Sequence, residues 1–249
     1  MRRPHRLYWL ALAAAGLVAA PAFAGPPYVT DDPEPTDLAK WEVYGFASGI
    51  GFAHGVDGET GFDVNYGAAK DLQASAVVSL DVQHDRGAAV QTGVADTELG
   101  LKYRFLHQRD GSWIPDVALF PKLELPTARK RFGSGAVGAQ IPVWAQKDFG
   151  RWSLFGGGGY QINPRAGNRD FGFGGVSLTR QVTKTLSIGA EAYHQSADSI
   201  DTRSTTGIDL GMNWQVAPHW SILGSGGPIV AHRDTAGRYA FYAALEFHD

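Results

Sequence analysis

The chain has 249 residues, 32 Gly, 13 Pro and no Cys, a length that suits one all-β domain. The lack of Cys excludes disulfide frameworks, thiol catalysis and Cys-based zinc sites, and a formal charge of −3 excludes the basic face of a nucleic-acid binder. A mean hydropathy of −0.18 excludes a helical membrane protein but not a barrel, in which only alternate residues meet lipid.

Residues 1–24 read as a cleaved signal peptide. Arg2, Arg3 and Arg6 precede an apolar run from Leu7 to Ala20, and Ala22-Phe23-Ala24 is a small-x-small cleavage site. The run is shorter than the roughly 20 residues that a helical span needs. Its loss makes the mature chain more acidic by three charges. Residues 25–39 are rich in Pro and Asp, which suit neither a central strand nor a helix. They read as an extended periplasmic lead-in, with a small plug inside a lumen as the alternative.

Residues 40–249 then alternate apolar and polar positions between turns, which predicts about twelve strands. They are expected near 41–53, 60–69, 71–83, 93–106, 113–126, 140–148, 151–162, 170–181, 185–196, 205–216, 219–227 and 237–247. The pattern is clearest in 72–83, where Leu72, Ala74, Ala76, Val78, Leu80 and Val82 oppose Gln73, Ser75, Ser79, Asp81 and Gln83. In the first strand, Trp41 and Val43 oppose Tyr44, Phe46, Ile50 and Phe52, and the sequence does not say which set faces outward.

Short turns near 70–71, 147–150, 182–185 and 217–218 alternate with longer polar stretches near 54–61, 85–90, 127–139, 163–169, 197–205 and 228–236. Outer-membrane barrels show this asymmetry between periplasmic turns and extracellular loops. Phe105, Trp113, Trp152, Trp220 and Phe247 mark one aromatic girdle, and Tyr160, Phe171, Tyr239 and Phe241 the other. No long apolar helix follows the signal, so a membrane form must close its strand ladder. The expected fold is therefore all-β: a transmembrane antiparallel β-barrel with both termini periplasmic and a narrow or partly occluded lumen.

The polar faces name the lumen candidates: Asp96, Glu98, Lys102 and Arg104; Asp116, Lys122 and Glu124; Glu191 and Gln195; Asp209 and Asn213; Arg238 and Glu246. Lys102, Arg104 and Lys122 are expected to meet acidic partners on adjacent strands. Such pairs either fill the bore or set the field that selects a solute.

Several stretches resemble one family. They are Trp144–Trp152 (WAQKDFGRW), Gly156–Pro164 (GGGGYQINP), Pro27–Asp37 (PYVTDDPEPTD), Leu123–Thr127 (LELPT) and Gly189–Gln195 (GAEAYHQ). Together they are similar to the outer-membrane barrels labelled the MetA pathway of phenol degradation. The resemblance spans the mature chain and implies a barrel with a transport role. The label records a genomic association and does not make phenol the substrate, and no catalytic residues come with it. One departure is His248-Asp249 beyond the terminal aromatic Phe247.

Other motifs carry less. Gly156–Gly159 lacks the Lys-Ser/Thr of a phosphate loop and instead allows strand curvature or room for a neighbour such as Trp144. The eight His residues form no ligand pair, so no metal or other cofactor is expected. Arg129, Lys130 and Arg131 suit a solvated loop or lipopolysaccharide phosphates. The expected function is a transporter or channel for a small solute, hydrophobic and aromatic solutes included, rather than an enzyme. Its expected partners are outer-membrane lipid, lipopolysaccharide and the barrel-assembly machinery, with no nucleic acid. The alternatives are a lipid-modifying enzyme, for which His194, Ser196 and Asp198 are a local candidate cluster, and a structural barrel.

Overall fold

The computed structural model describes residues 27–109, 111–128, 132–133 and 135–249. The signal peptide and the Arg129–Arg131 cluster lie outside the described residues. Fourteen strand segments form one sheet: β1 (Trp41–Gly51), β2 (Gly55–Ala69), β3 (Leu72–Asp85), β4 (Gln91–Val94), β5 (Thr97–Leu106), β6 (Asp116–Leu119), β7 (Lys122–Leu125), β8 (Gly138–Phe149), β9 (Trp152–Ile162), β10 (Phe171–Gln181), β11 (Leu186–Gln195), β12 (Thr205–Ala217), β13 (Trp220–Ala231) and β14 (Tyr239–His248). β4 and β5 both pair with β3, and β6 and β7 both pair with β5 and β8, so each couple is one interrupted strand. The result is twelve antiparallel strands, closed where β1 pairs with β14 over ten residues. Closure leaves no ladder edge to be satisfied by water. His248 continues this seam opposite Glu42, and the Trp41 N–H donates to the Asp249 carboxylate at 2.6 Å. The two residues past Phe247 thus extend the closure.

The alternation sets the two faces. Phe62, Val78, Leu80, Leu101, Ile141, Leu210 and Leu245 are exposed on the outside, with Leu210 at 70%. An apolar surface this continuous is unfavourable in water and suits lipid. Trp41, Trp113, Trp152 and Trp220 are exposed near the short-turn end and Tyr160 and Tyr239 near the other, where amphipathic rings meet headgroups. One aromatic departs from the expected girdle: Phe171 lines the bore. The first strand resolves to Trp41 outward and Tyr44 and Phe46 inward. There Tyr44 and Phe46 join Leu223 and Ala244 in a buried apolar cluster on one side of the lumen.

Three expected loops are shorter than the sequence suggested. β2 begins at Gly55, β3 runs to Asp85 and β13 to Ala231, so their Gly-rich and polar ends extend hairpins beyond the apolar belt. A break at Ala95-Asp96 also shifts the phase of the fourth strand. Ala95 turns into the bore, and its N–H donates to the Ser79 carbonyl at 3.0 Å.

Trp144 on β8 is buried inside the wall opposite Gly157 on β9. A Cβ on Gly157 would lie 3.0 Å from the indole, so glycine makes the room. Such a Cβ would meet the Val143 carbonyl oxygen first, so Gly157→Val is expected to push β9 off β8 as well as displace Trp144, at a cost of about 1–3 kcal/mol or more. A lowered urea midpoint of the folded barrel would check this.

Candidate functional site

Residues 27–39 are not an outer lead-in. They rise from the short-turn end of β1 into the bore and cross it. Pro27, Pro33 and Pro35 carry no N–H, and several of the N–H groups that remain find acceptors on the wall or within the segment. The Val29 and Thr30 N–H groups donate to the Glu191 carboxylate at 3.0 and 2.5 Å. The Thr36 N–H donates to Gln73 Oε1 at 2.8 Å, and Glu34 N–H to Asp32 Oδ1 at 2.6 Å. Ser225 donates its hydroxyl to the Pro27 carbonyl. Thr30 and Asp32 are each 1% exposed.

The wall is cut to receive this segment. Gly189 and Gly211 face each other across β11 and β12. A Cβ on Gly211 would lie 2.8 Å from the Tyr28 ring, and one on Gly189 would lie 2.7 Å from its hydroxyl oxygen. Side chains at either position would therefore exclude Tyr28.

Lys102 is the electrostatic anchor. Its Nζ lies 3.0 Å from Asp31 Oδ1 and 3.9 Å from Asp32 Oδ1, and 5.0 Å from the centre of the Phe120 ring. Its partners belong to the inner segment and not to a neighbouring strand, which corrects the sequence expectation. Burial pushes the Asp32 carboxyl well above its ordinary value, and the charge of Lys102 opposes that rise. Nearer the short-turn end, Arg104 lies 3.2 Å from Asp71 and 3.9 Å from both Glu34 and Asp116. Lys122 pairs with Glu98 on the adjacent strand at 3.0 Å, as expected, and stands over the other side of the site at 4.7 Å from the Phe120 ring centre.

The remaining candidates are distributed unevenly. Asp96, Glu98 and Glu124 line the first of two cavities, Asp209 lines the second, and Gln195 borders both. Glu246 is buried and accepts from the Tyr44 hydroxyl at 3.3 Å. Asn213 is half-buried on the lumen register of β12. Arg238 departs from the expectation: it is exposed in the 232–238 connection, where its N–H donates to the Gly51 carbonyl. His194, Ser196 and Asp198 have separate partners. His194 Nδ1 lies 2.8 Å from Thr206 Oγ1, the Ser196 hydroxyl accepts from Gly172 N–H, and Asp198 accepts from Gln195 and Thr202.

Several bore residues were missing from the candidates. Glu59 fell in an expected loop, although Glu59, Gly61, Asp63 and Asn65 already alternate. Asp31 and Asp32 lay in a segment without periodicity.

The cavities measure about 670 and 560 Å³. Tyr28 and Val29 border both, so the inner segment stands between them. Among the described residues no group of three or more His, Asp or Glu is placed to hold a metal.

The family described as "Putative MetA-pathway of phenol degradation" matches residues 30–245. The chain belongs to this family. The matched span takes in the inner segment from Thr30 onward as well as the wall. In fold, this family member is similar to the COG4313 outer membrane channel from Pseudomonas putida F1, at 12% identity and a TM-score of 0.68, over 88% of this chain and 98% of that one. It is also similar to the NanC porin, at 10% identity and a TM-score of 0.52, over 84% and 99%. No curated protein matches the chain.

Proposed function

We propose that the protein is an outer-membrane channel for a small solute, with its short turns and both strand-bearing termini on the periplasmic side. The observation that carries this reading is the bore itself. A closed wall surrounds two cavities of about 670 and 560 Å³, the first lined mainly by polar groups and the second mainly by apolar ones, with Tyr28 and Val29 of the inner segment bordering both. Aromatic side chains at the edge of the first cavity, Phe171 and Phe173 among them, suit a solute with an apolar or aromatic part. The charged set Glu98, Lys102, Lys122 and Glu124 holds the shape of the bore and sets its field. The likeness to a channel and a porin supports transport over lipid chemistry.

Planar-bilayer recording of the mature protein tests this. The expected result is a conductance well below that of open 16–18-stranded porins. A protein that inserts and folds yet passes neither ions nor small solutes in liposome swelling would overturn it.

A further inference from the structure

Resting on the channel reading, we propose that the bore selects for cations, and that its solute carries positive charge. The observation is a pattern of like charges on the inner wall. Three carboxylate pairs stand directly opposite one another on adjacent strands: Glu59 with Asp81, Glu98 with Glu124, and Glu191 with Asp209. Directly opposed residues hold their Cβ atoms roughly 4.5–5.5 Å apart, and like charges there are destabilising. A wall built only for stability would alternate the signs.

Local compensation is incomplete. Lys122 neutralises Glu98, and Glu191 is engaged by the two N–H groups of the inner segment. Glu59 accepts from the Ser79 hydroxyl at 3.0 Å, and Glu124 from Gln161 at 3.5 Å, both neutral donors. Asp209 is 3% exposed, borders the second cavity, and has a carboxylate oxygen, Oδ1, without a hydrogen-bond partner among the described residues. That oxygen is buried against Gly227 of the next strand, so the carboxylate keeps an acceptor that no neighbouring donor satisfies.

Among the described residues, positive charge in the bore is committed elsewhere. Lys102 is held by Asp31 and Lys122 by Glu98, and both ammonium groups also lie against Phe120. Arg203, on the second cavity, is at its exposed rim. The net field therefore attracts cations, and low-dielectric walls focus it along the axis. The ring contacts of the two lysines show that the same aromatic lining accepts an ammonium group.

Reversal potentials of the mature protein in uncharged bilayers under a KCl gradient decide the matter. The expected result is K⁺ favoured several-fold over Cl⁻. In the triple variant Glu59→Gln, Asp81→Asn, Glu124→Gln the preference should fall toward unity, and in Asp234→Asn, on an exposed loop, it should persist. Should the triple variant not refold, Glu124→Gln alone is expected to show a partial loss. A conducting channel that prefers Cl⁻, or prefers neither ion, overturns the cation proposal and leaves the channel reading intact. The absence of conductance in any salt overturns both.

Discussion

Lys102→Met is expected to release the inner segment and raise single-channel conductance. Met keeps the length of the side chain and its contact with Phe120 but removes the charge that Asp31 and Asp32 face at 3.0 and 3.9 Å. Breaking one side of a buried ion pair costs about 3–5 kcal/mol, because the other side is left uncompensated. The hydrogen bonds to Glu191 and Gln73 and the Tyr28 seat oppose release, so the docked and released forms should coexist rather than one replacing the other.

The pH dependence has a definite sign. Without Lys102, the docked Asp32 favours its protonated form more strongly than the released one does. Docking is then favoured at acid pH and lost as pH rises, so the extra conductance should grow toward alkaline pH. Adding Asp31→Asn and Asp32→Asn to Lys102→Met removes the orphaned charges and should restore the closed level. A conductance unchanged by Lys102→Met at every pH would show that residues 27–36 do not limit flow.

The second large effect lies on the outer wall. Leu210 is 70% exposed midway along β12, with Asp209 on the opposite face. Leu210→Arg places a guanidinium against lipid and should cost about 2–4 kcal/mol if the site lies at the bilayer midplane. Gln215→Arg, on the lumen register of the same strand, should leave the urea midpoint near that of the parent. Unfolding in vesicles, followed by heat-modifiable migration on gels, reads both variants. Equal costs would mean that the two faces see the same medium.

The sequence carried the wall more fully than its contents. Period-two runs such as 72–83 and 208–216 state which residues face out, because water and lipid sort alternate side chains. The first strand was ambiguous because its inner face is apolar too: Tyr44 and Phe46 pack on Leu223 inside the lumen. Phe171 misled for the same reason, since an aromatic at a strand end suits either a girdle or a bore lining.

The inner segment left no periodic signal. Its order comes from wall residues 37 to about 200 positions away, Gln73, Lys102, Glu191 and Ser225. Prolines that forbid a ladder are as compatible with a tethered plug as with a free lead-in. The paired carboxylates depend on register, which alternation alone does not fix between neighbouring strands. Glu98 and Glu124 were both assigned to the lumen, but only the ladder shows that they stand opposite each other.

The central claim is that alternate residues of each strand meet lipid while their neighbours line the bore. The chain has no Cys, so single-Cys spin labels can be walked through β12 from Ile208 to Asn213 without background. Collision with oxygen, which concentrates in lipid, should peak at Ile208, Leu210 and Met212, and collision with a water-soluble nickel reagent should favour Asp209 and Asn213. Uniform access to the water-soluble reagent, or no two-residue period, would contradict the account.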